Sequence, residues 1–346
     1  TAMRRLHFIM LLVVCAAVFC GCKKTKPEII PVVEATESRI DTLVSLQPEE
    51  IICEQPLKGA DIQLSHSLLY DNHTLTDEYP HGDTVRSFQW ETIRKCLAFI
   101  ENMQGDSARW VVLKNYKNMN SEAPLVGKFV RNVYGRVADT LGVERYQSVP
   151  LYFESDSIVP VRYGRDGSLA WLRESRGGFH KIELVTIDGQ WLVPLRYVKI
   201  LSDTTVFHHV AFVDRRNQNI AVLERLNRGE WAIRSMNPAT TGMRRPPYAQ
   251  ETPLGMFLVQ EKKRKMYFLK DGGSKTAGYA PYASRFTNGA YIHGVPVNLP
   301  ATAEIEYSWS LGTTPRSHMC VRNATSHAKF VYEYLPTESS LVVVIE

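Results

Sequence analysis

Two short stretches hold the residues best able to do covalent chemistry: Tyr291-Ile292-His293-Gly294 and Ser317-His318-Met319-Cys320-Val321-Arg322. A thiol attacks only as thiolate, and near neutral pH it needs a base or a positive setting to lose its proton. Histidine is the usual supplier, provided a partner on its other ring nitrogen fixes the tautomer. Cys320 is therefore a candidate nucleophile, with His293 and His318 as candidate bases. Residue types alone make this a weak signal, because a buried cysteine is more often a small apolar side chain than a reagent. Arg322 carries a planar guanidinium suited to a substrate carboxylate, and equally to a surface ion pair. His208-His209 lies in a strand-like run whose alternation sends the two rings to opposite faces. No His-Glu-x-x-His pattern and no clustered cysteine pair occurs, so no metal site is expected. Gly272-Gly273 reads as a turn rather than a phosphate loop.

The elements that must hold these residues are mostly strands. From 205 to 346 the runs 210–213, 219–223, 256–259 and 266–269 are apolar and β-rich, and only 323–333 reads as helix. Upstream, Trp90, Ile93, Leu97 and Ile100 recur at helical spacing, with Cys96 and Met103 beside them. Val126, Val130, Val133, Val137 and Leu141 suggest a second helix, opened by Pro124 and stopped by Gly142. Together these predict a helical module over 83–147. From Val149 the texture changes to short strands at 149–152, 158–161, 170–172, 180–185 and 191–193, separated by Gly, Asp and Ser. The closing run Asp188-Gly189-Gln190-Trp191-Leu192-Val193-Pro194-Leu195-Arg196-Tyr197-Val198 resembles that of a bacterial SH3-like domain, placed at 148–202.

The C-terminal pattern resembles the YkuD-type L,D-transpeptidase catalytic domain. That family carries Ile-His-Gly, then Ser-His-Gly-Cys followed by an apolar residue and arginine, and upstream a Thr-Pro-x-Gly turn into a strand. Here the counterparts are Ile292-His293-Gly294, Ser317-His318-Met319-Cys320-Val321-Arg322 and Thr252-Pro253-Leu254-Gly255, within 205–346. The expected fold class is thus multidomain α+β: an N-terminal helical module, an SH3-like β-barrel and a mostly-β catalytic domain. The resemblance implies that Cys320 forms a thioester on the third residue of a peptidoglycan stem peptide, expelling D-Ala. His293 moves the protons, oriented by the Gly294 carbonyl, and a second stem peptide resolves the thioester as a 3→3 cross-link. His318 either orders the nucleophile loop or acts directly as base. Ser317, Met319 and Arg322 are the candidate substrate-binding residues, and no cofactor is implied. Two departures stand out. Met319 occupies the family's usual glycine, and 295–310 looks inserted. A positive φ at 319 would strain methionine, whereas a need for its N–H alone would leave the change tolerable. Alternatives are L,D-carboxypeptidase activity at the same site, or a non-catalytic peptidoglycan-binding lipoprotein.

At the N-terminus, Arg4-Arg5 precede an apolar run from Leu6 to Phe19, which reads as a secretory signal. Gly21-Cys22 at its end resembles a bacterial lipobox, implying lipidation of Cys22 after removal of 1–22, and a membrane attachment facing the periplasm. Inner and outer membrane are not distinguished. Residues 23–82, polar and with Pro27 and Pro31, read as a tether. The remaining cysteines, Cys53, Cys96 and Cys320, are odd in number, leaving one thiol over. The net charge is +5, or +3 without Arg4 and Arg5, which is too weak to suggest nucleic acid as a partner. Oligomeric state is not legible.

Overall fold

A computed structural model describes residues 55–105 and 109–346. The signal, Cys22 and Cys53 lie outside the described residues. The described residues belong to one compact unit.

The centre is a six-stranded mixed sheet, in the order Gln63–His66, Glu230–Pro238, Asn219–Asn227, His209–Asp214, Ser340–Ile345 and Gly255–Leu258. Its C-terminal strand, Ser-Leu-Val-Val-Val-Ile, is buried at every position. An unbroken apolar run of this kind belongs to a strand covered on both faces. Alternation sorts the side chains: Val210, Phe212, Leu341 and Val343 face one way, packing with Ile93, Leu97 and Ile100 of the helix Trp90–Gly105. Ala211, Val213, Val342 and Val344 face the other, against Val331 and Leu335 at the helix Thr325–Tyr334 and its end. The first expected helix is therefore observed, and its apolar face joins the core of the sheet that supports the C-terminal residues.

The second expected helix is not observed. Strands Phe129–Arg131 and Val137–Asp139 pair as a hairpin there. Four of the five stripe residues are valine, whose branched Cβ favours the pleated surface over the helix. Val130, Val133 and Leu141 are exposed, so no partner surface rewards the helical stripe. Within the stretch read as a tether, Gln63–His66 pairs in parallel with Glu230–Ile233, and Glu78–His81 forms a hairpin with Thr84–Ser87.

A separate five-stranded antiparallel sheet runs Ile187–Pro194, Phe179–Leu184, Leu169–Arg176, Arg109–Leu113 and Val198–Ile200. The hairpin of Ser148–Leu151 and Arg162–Arg165 adds to its core through Val149 and Leu151. Residues 158–161, expected as a strand, are not one, and Ile158 is 85% exposed. The strand begins at Arg162, past Pro160, whose missing N–H removes a ladder donor.

The last sheet carries the candidate site residues. Long strands Glu261–Leu269 and Thr276–Thr287 lead to Ala290–His293, which pairs in parallel with the two-residue strand Val321–Arg322.

Candidate active site

The parallel register sets Ile292 opposite Val321 and His293 opposite Arg322. Opposed residues project to the same face and neighbours alternate. Ile292 and Val321 accordingly enter the apolar core, both fully buried. Tyr291, His293, Cys320 and Arg322 share the opposite face. There His293, Ser317, His318, Cys320 and Arg322 line one cavity of about 640 Å³, with Met266 beside them. That volume is within the usual range for a ligand site.

His293 is buried, and its Nδ1 lies 2.7 Å from the Gly294 carbonyl oxygen. A carbonyl only accepts, so this geometry assigns the proton to Nδ1 and leaves the Nε2 lone pair free to take a proton. Gly294 is needed for its size: a Cβ there would lie 2.7 Å from Thr325 Oγ1 and 2.9 Å from Pro281 Cγ. Burial pushes the His293 ring down to about 4, with the Gly294 bond opposing and the Arg322 charge reinforcing. Burial likewise pushes the Cys320 thiol up to about 11, the Tyr291 backbone and Arg322 pulling more weakly the other way. The thiol contacts the Gly289 carbonyl at 3.5 Å. Both shifts favour the uncharged forms, thiol and imidazole.

The loop before Cys320 is strapped to residues 240–252. Thr240 and Arg322 exchange two backbone hydrogen bonds of 2.9 Å, and Arg316 and Ser317 N–H donate to Thr241 O at 2.9 and 3.0 Å. Thr252, in the Thr-Pro-x-Gly turn, donates its hydroxyl to Met319 O and accepts from Gly242 N–H, both at 2.8 Å. Gly242 must stay a glycine, since a Cβ would meet Met319 Cα at 2.7 Å and Gln250 O at 2.3 Å. Among the described residues, the N–H groups of His318, Met319 and Cys320 have no hydrogen-bond acceptor. They remain available to an incoming acceptor.

His318 is 45% exposed and pairs with Asp271 at 2.9 Å, in the turn of the long hairpin. It stands at the cavity mouth as a clasp between nucleophile loop and hairpin. Arg322 has its Nε buried without a hydrogen-bond partner, so its guanidinium is available to a ligand. The residues between 295 and 310 rim the cavity with Ile305, Tyr307 and Trp309, the last 74% exposed. Tyr279, Phe286 and Tyr291 are buried within their strands.

Met319 is placed differently from the expectation that it lines the substrate pocket. Its side chain packs beside the apolar core and lines a different cavity. Its φ is 129°, in the region that favours glycine, and holding it there costs about 1–3 kcal/mol. Met319→Gly is expected to be more stable than Met319→Ala by about 1 kcal/mol, reversing the ordinary deficit of glycine. Urea unfolding of the two variants measures it, and equal or lower stability of the glycine form would remove the strain argument.

Residues 208–345 match the family described as YkuD, L,D-transpeptidase catalytic domain. The match covers fewer than half of the chain's residues. Solved structures similar to the chain include an L,D-transpeptidase from Mycobacterium tuberculosis H37Rv, at 20% identity over 53% of this chain and 92% of that one, TM-score 0.32. Another is an L,D-transpeptidase from Mycobacterium smegmatis, at 13% identity over 51% and 90%, TM-score 0.32. A fused Zn-dependent amidase/peptidase/peptidoglycan-binding domain-containing protein from Clostridium acetobutylicum ATCC 824 is similar at 18% identity over 41% of this chain, TM-score 0.30, and this chain spans 53% of its length. TM-scores of this size place no residue in correspondence. No curated protein sequence matches the chain.

The matched segment, 208–345, holds every lining residue of the larger cavity, from Met266 to Arg322. Three residues outside the sequence motifs meet beside Tyr291. Asp166 and Arg285 form a buried ion pair at 2.6 Å, and Tyr116, whose hydroxyl is 3.2 Å from that of Tyr291, stacks under Arg285. Nothing local in the sequence marks them, because the partners are more than a hundred positions apart.

Proposed function

We propose that this protein is a peptidoglycan L,D-transpeptidase that forms 3→3 cross-links through a thioester on Cys320. The observation that carries the reading is the shared face of Cys320, His293 and Arg322 over one cavity, inside the matched domain. As Sγ attacks the carbonyl of the third stem residue, Nε2 of His293 takes the thiol proton, so no free thiolate is needed at rest. The N–H groups of His318, Met319 and Cys320 receive the oxyanion, each such donor contributing about 3 kcal/mol. Collapse breaks the bond to D-Ala, whose amine leaves with the proton from His293. An amine of a second stem then attacks the thioester, gives its proton to His293 and releases the thiol. Arg322 holds a carboxylate of the donor stem by paired hydrogen bonds. Water in place of the second amine gives a carboxypeptidase.

The lipid anchor at Cys22, the periplasmic side and an SH3-like wall contact by residues 148–202 belong to the same proposal. Such an anchor would keep the enzyme within reach of the wall. The test is incubation of the purified protein with disaccharide-tetrapeptide and mass spectrometry of products. A 3→3 dimer, with a transient acyl mass on the peptide containing Cys320, is expected. Tripeptide alone would convert the reading to carboxypeptidase, and unchanged substrate with no adduct would leave the non-catalytic wall-binding alternative.

A further inference from the structure

The cavity that Met319 lines is distinct from the one holding the thiol. It measures about 450 Å³, and Cys320 and His293 are not among its lining residues. Three arginines reach it, Arg162, Arg165 and Arg215, with two carboxylates, Glu144 and Glu251. The carboxylates are already satisfied. Glu144 accepts from Asn132 and Gln250 at 2.6 Å and from Arg136 at 3.0 Å. Glu251 pairs with Arg215 at 3.0 Å, and Arg215 also donates to Thr252 O.

The other two arginines are not satisfied. The half-buried Arg165 side chain has no hydrogen-bond or ion-pair partner among the described residues, although its backbone carbonyl accepts from Ser168 N–H. Arg162 has its Nε buried without a hydrogen-bond partner; the Asp139 carboxylate is 3.8 Å away and already accepts from Leu141, Val143 and Tyr163 N–H. A guanidinium N–H withdrawn from water without an acceptor is costly, as at Arg162 Nε, and guanidinium donors match the oxygens of a carboxylate or phosphate. Burial already holds Arg165 below its ordinary value, with Glu144 and Asp139 compensating in part. An incoming oxyanion would supply what those donors lack.

We infer that this cavity is a second ligand site, taking a carboxylate or phosphate oxyanion on Arg165 and Arg162 with the Met319 side chain in its wall. Its occupant touches the residue just before Cys320 from the side away from the thiol. Carboxylate and phosphate share the chemistry that two guanidinium groups with spare donors recognise, and the test separates them. The site needs no reaction at Cys320, so it stands or falls apart from the proposed activity.

The experiment uses the full chain with methyl-¹³C methionine, titrated at constant ionic strength with inorganic phosphate and, separately, with N-acetyl-D-alanine. Met319 reports this cavity and Met266 the one with the thiol. A saturable shift of the Met319 methyl with Met266 unmoved is expected for at least one probe, and the probe that acts names the oxyanion. Arg165→Gln should weaken that binding at least about tenfold, the loss of one charge-assisted contact. Because the unsubstituted protein gives the primary result, a poorly folded variant does not obscure it. No Met319 shift into the tens of millimolar, a shift of Met266 instead, or undiminished binding by folded Arg165→Gln would each overturn the inference.

Discussion

Cys320→Ala is expected to abolish the acyl adduct and every cross-linked product, and His293→Ala to slow adduct formation by about 10²–10⁴-fold, the span of a lost general base. The unequal losses follow from unequal roles: sulfur forms the bond that must exist, whereas a proton has slower alternative routes. With the ring pushed down to about 4, His293 is neutral and able to accept a proton throughout the neutral range. Adduct formation should therefore hold as pH falls from 7 to 5 and drop only as the ring protonates near 4. The free thiol, pushed up to about 11, is ionised at pH 7.5 to only roughly 10⁻³ to 10⁻⁴. Iodoacetamide, which needs the thiolate and recruits no base, should accordingly label Cys320 slowly at that pH. Its rate should climb about tenfold per pH unit up to 10. Labelling that levels off below pH 8 would mean a resting thiolate–imidazolium pair, and the neutral mechanism would fail.

Legibility in the sequence followed the range of the cause. Ile292-His293 and Cys320-Val321-Arg322 could be picked out because residue type and the family's short motifs need only a few neighbouring positions. That the two stretches pair, with Ile292 and Val321 in the core and the others on a common face, came from the fold. The helix Trp90–Gly105 was legible for a similar reason, its stripe of large apolar residues meeting a partner surface. The stripe from Val126 to Leu141 has the same spacing and no such surface, so β-branching and the turn at Gly135, with φ of 71°, decided the outcome. Spacing states what a helix would bury, and only the tertiary fold says whether anything is there to receive it. Met319 shows the same limit at the site. Its departure from glycine was visible, but whether its φ was positive, and which cavity its side chain would enter, depended on straps from Thr240 to Thr252.

The substitution with the largest expected effect on stability lies where local sequence carries least warning. Asp166 and Arg285 are almost wholly buried, and the Asp166 carboxylate is saturated: Oδ2 accepts from Arg285 at 2.6 Å and Gln260 at 2.9 Å, while Oδ1 accepts from Asn115 and Tyr116 N–H at 2.8 and 3.1 Å. Every neighbour is a donor. Asp166→Asn keeps the shape but turns one end of the group into a donor facing donors, and leaves Arg285 with Glu261 at 3.2 Å as its remaining ion-pair partner. Removing one member of a buried pair costs about 3–5 kcal/mol, and that loss is expected here in denaturant unfolding. Arg285→Met should cost a similar amount by stranding the carboxylate. The double variant should lose less than the two single losses added, since neither charge is then left alone. The damage should also reach the site. Arg285 stacks on Tyr116, Tyr116 meets Tyr291 through its hydroxyl, and Tyr291 packs against Cys320. A fall in adduct formation at temperatures where Asp166→Asn is still folded would show that the pair positions the thiol's strand. A stability loss below about 1 kcal/mol would mean that water or a rearranged Glu261 satisfies Arg285, and the account of a closed polar network would be abandoned.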